Sequence, residues 1–167
     1  MKVLNQYIIP LKGLSAGKHK FNMLLDNQSF RYWANPLCSN GDIVASLMLD
    51  KKGGFYELDI HLDGEANVSC DRCLDIFKTD INNNFRLILK HSEKEGDHIQ
   101  GDVELKFIAP DCNQYNIGQD LLEYVLLSLP MRKICNSAKC ADNLERFKGT
   151  SKKQDIDPRW EALTNLK

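Results

Sequence analysis

Four of the six cysteines in this 167-residue chain form two close pairs that have the chemistry of metal ligands. Cys70 and Cys73 make a C-x-x-C motif, and Cys135 and Cys140 are separated by four residues. Thiolates at such spacings can reach one tetrahedral zinc ion, and a structural zinc site takes four protein ligands. The sequence therefore predicts a structural Zn²⁺ site formed by Cys70, Cys73, Cys135 and Cys140, which would join the middle of the chain to its end.

Spacing alone leaves two alternatives to zinc open. The four cysteines can be reduced structural residues that bind no metal. Cys70 and Cys73 can instead serve a thiol redox or hydrolytic enzyme, although a redox C-x-x-C motif is usually placed at a helix N-terminus that lowers the thiol pKa. Here the pair lies between two strand-like segments, which favours metal. Cys38 and Cys112 have no close cysteine neighbour, and we predict that they are small buried or half-buried side chains.

The rest of the chain offers no positive case for catalysis. Its four histidines are scattered, and none is paired with a cysteine or serine in a recognisable nucleophile arrangement. The sequence has no glycine-rich phosphate loop and no G-x-S-x-G elbow. We therefore predict a non-enzymatic protein with no catalytic residues and no small-molecule substrate.

Composition limits the partners and the compartment. A formal net charge of -1 excludes a polycation that binds nucleic acid diffusely through phosphate contacts. No apolar run approaches the length needed to span a bilayer, and the first residues do not resemble a signal peptide. We expect a cytoplasmic protein without a membrane partner, in a compartment where thiols stay reduced.

Alternating apolar residues predict that much of the chain is β-structure. The segments 43–49 and 56–62 alternate on either side of Gly53 and Gly54, a pattern typical of a hairpin with one buried face. The alternation resumes up to Cys70, which places the first cysteine pair at the end of a strand. Further strands are predicted around residues 81–89 and 103–107, and the region before residue 30 is predicted to be extended too, because Phe21, Met23 and Leu25 alternate.

The periodicity changes to that of a helix after Asn116. Asn116 is a candidate N-cap, with Gln119 as its reciprocal partner, and Pro130 should end the helix. This Leu-rich helix is predicted to lie against the sheet and to bring Cys135 towards the first pair. Its apolar stripe consists of Ile117, Leu121, Leu122, Val125, Leu126 and Leu129.

The C-terminal segment is predicted to be separate from the main body. Residues 148–155 are polar and lysine-rich, as in a flexible linker, and Asp157 followed by Pro158 indicates the start of a short helix. The predicted organisation is one β-rich domain over residues 1–147 with the cysteine site, and a linker with a helical tail over residues 148–167. The predicted fold class is α+β, a mostly antiparallel sheet packed by the Leu-rich helix.

Several motifs together resemble a known family. The run Val68-Ser69-Cys70-Asp71-Arg72-Cys73-Leu74 is similar to the C-x-R-C-L signature of the bacterial YceD-like family. The helical segment that ends at Pro130 is similar to that family's E-x-x-L-x-L-P run, and 157–163 is similar to its D-P-R-W-x-x-L ending. The resemblance covers essentially the whole chain.

This resemblance implies a function in ribosome assembly. Members are described as large ribosomal RNA subunit accumulation proteins, so the expected role is support of 23S ribosomal RNA accumulation and large-subunit assembly. The expected partner is ribosomal RNA, a large-subunit ribosomal protein or an assembly factor. Cys70 and Cys73 match the family signature and Cys135 and Cys140 its later cysteine region, where many relatives carry further cysteines that this chain lacks.

Overall fold

The computed structural model describes residues 6–92, 98–100, 103–137 and 140. These residues form an α+β fold that is mostly sheet, which confirms the predicted class. The elements are β1 (Ile8–Pro10), β2 (Gly17–Leu25), α1 (Asn27–Trp33), β3 (Asn40–Lys52), β4 (Phe55–Ser69), β5 (Ile76–His91), β6 (His98–Gln100), β7 (Val103–Ile108), β8 (Gln114–Asn116) and α2 (Gly118–Ser128).

Six of the strands form one sheet in the order β2-β3-β4-β5-β7-β6. Neighbouring strands are antiparallel except for β5 and β7, which run parallel. The short strands β1 and β8 pair separately as a two-stranded sheet. The prediction of a mostly antiparallel sheet is therefore confirmed, with one parallel pair that the strand patterns did not indicate.

The β3–β4 hairpin pairs all of β3 with β4, and the β4–β5 pairing beside it is longer still. The register of the hairpin places Leu49 opposite Leu58 and Ala45 opposite Leu62. The alternating apolar side chains of both strands are buried, as the period-two pattern predicted. Because β4 ends at Ser69, the next residue, Cys70, lies at the end of the strand as predicted.

Gly64 allows β3 and β4 to approach closely near the cysteine end of this hairpin. It adopts a φ of 152°, a conformation that favours glycine. A Cβ atom at this position would lie 2.2 Å from the carbonyl oxygen of Asp42 and 2.7 Å from the Cα of Ile43. A side chain at residue 64 would therefore force the two strands apart.

The short helix α1 corrects the prediction of extended structure before residue 30, which holds for β1 and β2 but not from Asn27 onwards. Asp26 is its N-cap and accepts hydrogen bonds from the backbone N–H of Ser29 (3.0 Å) and from its hydroxyl (2.8 Å). The backbone bond to Ser29 lowers the pKa of Asp26. Buried Phe30 fixes the helix to the core. A helix of seven residues is too short to show a clear period, and its capping residue was its main signal.

Helix α2 begins later than predicted, and the predicted capping box is wrong. Its N-cap position is Ile117, whose side chain makes no capping bond. The Asn116 side chain accepts a hydrogen bond from the N–H of Gly118 (2.9 Å), and the Gln119 side chain donates to Glu123 (3.0 Å). The helix ends before Pro130, as predicted.

The apolar side of α2 packs against the sheet, which confirms the predicted contact. The Tyr124 ring stacks on Phe85 of β5 with ring centroids 4.5 Å apart. Within the described part of the chain, no helix is long and apolar enough to cross a bilayer. The buried residues of the predicted stripe are Ile117, Leu121, Leu122 and Val125, and Leu126 and Leu129 are partly buried against the same core.

The predicted linker at 148–155, the helix starting at Asp157 and the boundary between residues 147 and 148 lie outside the described residues.

Candidate metal centre

The structure brings the four predicted cysteines together. Their Sγ atoms all lie within 4.8 Å of one another, with 3.8 Å between Cys70 and Cys140 and 3.6 Å between Cys73 and Cys135. Four sulfurs at the Zn–S distance of about 2.3 Å on a tetrahedron lie about 3.8 Å apart. All four side chains are buried. The cluster therefore has the donor atoms and the dimensions of a site that could hold a metal ion.

A tight turn after β4 presents the first pair of sulfurs. The N–H of Leu74 donates to the carbonyl of Cys70 (3.0 Å), and the N–H of Cys70 donates to the carbonyl of Asp75 (2.9 Å). Leu74 completes the turn with a φ of 64°, the left-handed region that a leucine rarely occupies. The turn directs Cys70 and Cys73 to the same side while leaving the Leu74 side chain 65% exposed.

Asp71 joins this turn to the segment that follows α2. Its N–H donates to the carbonyl of Lys133 (2.7 Å), and its carboxylate accepts from the N–H of Lys133 (2.7 Å). The Lys133 ammonium group also lies 3.4 Å from the same carboxylate. The backbone bond from Lys133 lowers the pKa of Asp71. This two-way contact sets the register of the second segment and places Cys135 against the first pair.

Backbone N–H groups point at the sulfurs of the cluster. The Sγ of Cys70 accepts from the N–H of Cys135 (3.4 Å) and of Arg72 (3.5 Å). These bonds, the one from Cys135 above all, lower the pKa of Cys70 to about 6. Hydrogen bonds donated to a thiolate stabilise the thiolate, so Cys70 ionises more readily than an ordinary thiol.

The neighbouring thiols resist ionisation when no cation is present. The hydrogen bond from the N–H of Asp75 lowers the pKa of Cys73, but burial and the adjacent sulfurs outweigh it and raise the pKa to about 12. The hydrogen bond from the N–H of Ser137 lowers the pKa of Cys135, but burial and Cys140 outweigh it and raise the pKa overall. Close acidic groups titrate as a unit and cannot all carry charge together. A divalent cation would remove this conflict, because it favours the thiolate form of every ligand.

Arg72 adds a positive charge beside the cluster. Its Nε donates to the Sγ of Cys140 at 2.9 Å, a contact that also raises the pKa of Arg72. Four thiolates around one divalent ion carry a net charge of about -2, which a buried site must compensate. Of the four cations close to the cysteines in sequence, Arg72 contacts a sulfur and Lys133 pairs with Asp71. Arg132 acts on Asp71 at longer range, and Lys139 lies outside the described residues.

The cysteine cluster is separate from the main hydrophobic core. Only Phe77 and Ile134, both partly buried, pack against it within the described residues. So small an apolar cluster buries little surface compared with the main core, and hydrophobic stabilisation scales with buried area. Hydrophobic burial therefore contributes little to the stability of this end of the molecule.

The remaining cysteines stay out of the cluster. Cys38 is buried in the main core, where burial raises its pKa, and its thiol contacts the carbonyl of Asn40 (3.5 Å). Cys112 is partly buried, and its thiol donates to the carbonyl of Gln114 (3.0 Å). Both observations confirm the prediction of small buried or half-buried side chains.

A buried polar network beside α2 was missing from the sequence predictions. The Lys106 ammonium group bonds to Asp120 and lies 3.1 Å from Glu104. Tyr115 donates to Asp120 (2.8 Å), and Tyr124 donates to Glu104 (2.6 Å). Burial raises the pKa of Asp120, while Lys106 opposes that rise. The network links α2 to β7 and β8. Its only signal in the sequence was Asp120, a charged residue within the apolar pattern of the helix.

Comparison with known families identifies the chain. The profile described as large ribosomal RNA subunit accumulation protein YceD matches residues 58–167. The chain belongs to the YceD family. The match begins within β4, so the YceD region contains all four clustered cysteines and α2. Comparison with curated proteins and with solved structures gives no match. The resemblance predicted from the signature motifs is thereby confirmed.

Proposed function

We propose that this protein is a non-enzymatic, zinc-stapled factor that supports accumulation of 23S ribosomal RNA and assembly of the large ribosomal subunit. The observation that carries the ribosomal role is the YceD family match over residues 58–167. Its partner is ribosomal RNA, a large-subunit ribosomal protein or an assembly factor. It acts in the cytoplasm, where ribosomes are assembled and thiols remain reduced.

The donor set supports zinc as the metal. Cys70, Cys73, Cys135 and Cys140 each supply one sulfur, and the shortest separations of 3.6 and 3.8 Å suit a tetrahedral Zn–thiolate site. Soft thiolate ligands select zinc over magnesium, calcium or manganese, which prefer oxygen. The N–H groups aimed at the sulfurs and the Arg72 contact with Cys140 are the second layer of interactions that such a site needs.

The same donor set supports a structural role rather than catalysis. A catalytic zinc site keeps one coordination position for water or substrate, whereas four protein thiolates fill the tetrahedron. Here the four sulfurs come from two segments, one after β4 and one after α2. Zinc bound by all of them would hold the end of the sheet to the segment that follows the helix.

The low pKa of Cys70, about 6, favours one alternative, a thiol redox or hydrolytic enzyme that uses Cys70 and Cys73. Reactive cysteines are partly exposed, whereas Cys70 is 0% and Cys73 is 3% exposed. Titration of thiols with and without a chelator separates the two functions. Thiols that react slowly, and faster once a chelator is added, support the metal site. One thiol that reacts fast in protein that is purified without bound metal supports the redox enzyme.

Depletion of the protein in its own bacterium tests the ribosomal role. The ratio of 23S to 16S ribosomal RNA should fall on depletion and should recover when the wild-type gene is restored. Cys70→Ser should fail to restore the ratio, whereas Cys112→Ser, at a cysteine outside the cluster, should restore it fully. An unchanged ratio in depleted cells would refute the proposed role.

A further inference from the structure

We propose that the solvent-facing side of the six-stranded sheet binds a basic polypeptide segment rather than RNA. This surface, called the open face below, consists of the outward side chains of β2, β3, β4 and β5, opposite the side that packs into the core. The inference rests on the proposed function for its ribosomal setting, and it adds the chemical class of a direct partner.

Strand register gathers carboxylates at one end of the open face. Asp42 of β3 lies directly opposite Glu65 of β4, and Glu65 lies directly opposite Asp80 of β5. Asp63, two residues before Glu65, projects from the same side of β4. Like charges directly opposite each other across strands are destabilising. In this part of the face Lys78 forms an ion pair with Glu65 (2.5 Å), and the neutral Asn82 donates to Asp63 (3.1 Å).

Exposed apolar side chains lie beside the carboxylates. Leu24 of β2 and Val44 of β3 are cross-strand neighbours and are 54% and 45% exposed. Val44 also lies directly opposite Asp63 of β4. Met48, farther along β3, is 37% exposed. The end of the open face near the cysteines thus combines an apolar strip with an acidic one, in contact along β3 and β4. Towards the other end of the face lie the outward cations Lys18, Lys20 and Arg86.

A shallow depression continues this surface towards its centre. It has a volume of about 350 Å³, enough to admit a side chain of a partner. Met48 and Asp59 form one part of its lining, and Ser46, His61 and Asn84 form a row of cross-strand neighbours across it. The face is therefore contoured as well as exposed.

The charge pattern selects the chemistry of the occupant. Carboxylates repel the phosphates of RNA, whose binding requires Lys and Arg on the protein. The carboxylates are spread over three strands, and within the described residues the four cysteines alone converge closely enough to hold a metal ion. Lysine and arginine side chains from a partner fit both strips, because their aliphatic stems cover apolar surface while their charged heads reach carboxylates.

The cysteine centre supports the acidic end of this face. Glu65 lies on β4, which ends at Ser69 immediately before Cys70, and Ser69 pairs with Ile76 at the start of β5. A metal held by Cys70 and Cys73 would therefore stabilise the turn that joins the two strands carrying Glu65 and Asp80. Such preorganisation favours binding by lowering its entropic cost.

Binding to defined probes tests the inference on the full-length, metal-loaded protein. The probes are a short fluorescent peptide of alternating lysine and valine, a matched peptide of alternating glutamate and valine, and a single-stranded RNA oligomer. When the protein is added, we expect the fluorescence anisotropy to rise for the lysine peptide alone. The affinity for this peptide should fall as the salt concentration increases. NMR shift perturbations should map to the outward residues of β2 to β5.

Paired variants separate the surface from net charge. Asp42→Asn with Asp80→Asn should weaken peptide binding about fivefold. Asp111→Asn with Glu123→Gln removes the same charge from exposed positions outside the face and should leave the affinity unchanged. The melting temperature of the Asp42→Asn, Asp80→Asn variant should not fall, because the two substitutions remove repulsion between carboxylates on neighbouring strands. Val44→Thr, which keeps a β-branched side chain, should also weaken binding.

Several results would overturn the inference. These are no binding of the lysine peptide, equal weakening by both charge pairs, RNA binding that maps to the same face, or a dimer that Val44→Arg abolishes. The last result would assign the face to a second copy of the chain. The outcome is independent of the ribosomal RNA ratio: a ratio that falls on depletion, without peptide binding, would leave the proposed function standing and remove this surface alone.

Discussion

The Sγ atoms of Cys73 and Cys135 lie 3.6 Å apart, although the residues are 62 positions apart in the chain. One belongs to the turn after β4 and the other to the segment after α2. Two hydrogen bonds between Asp71 and Lys133, one accepted by the Lys133 carbonyl and one by the Asp71 carboxylate, align these two segments independently of the sulfurs. The contact therefore places a pair of candidate metal ligands at the junction of sheet and helix.

Replacing one cluster cysteine should remove the metal and destabilise the fold. We expect Cys135→Ser to lose one equivalent of zinc and to melt about 10 °C or more below the wild type, because binding to a structural site is coupled to folding. Elemental analysis and thermal unfolding measure the two effects. Cys112→Ser is the matched control and should keep both zinc and melting temperature. Unchanged zinc content in Cys135→Ser would contradict the four-cysteine site.

The Asp26 cap of α1 should make stability depend on pH in acid. Its pKa is lowered in the folded state, so its stabilisation is present above the ordinary value near 4 and is lost as pH falls through the lower folded value. Asp26→Ala should cost about 1 kcal/mol at neutral pH.

Asp26→Asn provides the control for this pH dependence. Asparagine also caps helices well but has no charge to titrate, so the variant should be nearly as stable as the wild type at neutral pH. Urea unfolding between pH 7 and about 3 measures both proteins. The part of the acid destabilisation that comes from Asp26 should be missing from the variant. Parallel curves for wild type and Asp26→Asn would show that the cap carboxylate does not contribute.

Leu74 occupies a backbone conformation that suits glycine better. At a φ of 64°, an L-residue is strained by roughly 1 kcal/mol, and its exposed side chain contributes little packing. Leu74→Gly should therefore raise the free energy of unfolding by about 0.5 kcal/mol after the greater flexibility of unfolded glycine is subtracted. Leu74→Val should lower it, because a β-branched residue tolerates this conformation least. Denaturant unfolding of the two variants should give opposite signs.

Breaking the buried network at Asp120 should destabilise the packing of α2. Asp120→Asn leaves the Lys106 ammonium group without its main buried partner, and removal of one member of a buried ion pair typically costs about 3 kcal/mol. Glu123→Gln on the exposed side of the same helix should change stability by less than about 0.5 kcal/mol.

A double variant tests whether the lost stability comes from the Lys106 charge that is left without its partner. Lys106→Met with Asp120→Leu replaces both charges by apolar side chains, and we expect it to recover most of the stability lost in Asp120→Asn. Chemical denaturation of the single and double variants provides the comparison. A double variant as unstable as the single one would indicate that Tyr115 and Glu104 need the ionic partners for their own hydrogen bonds.

The strands and the Leu-rich helix were predictable because their signals are local. Alternation in 43–49 and 56–62 reports one buried face, and the stripe of α2 reports another, so periodicity alone indicates both elements. Helix α1 and the true N-terminus of α2 were missed, because a seven-residue helix and a capping residue carry too little sequence for periodicity to decide.

The sequence by itself determined the α+β class, the family, and which four cysteines are candidate ligands, because these follow from residue types and short-range spacing. Only the tertiary structure decided that the four sulfurs share one site, that Arg72 contacts Cys140, and that Lys106 lies beside Asp120. These contacts join segments that are distant in sequence. Their geometry depends on strand register and helix packing, which are set by the whole core rather than by any local pattern.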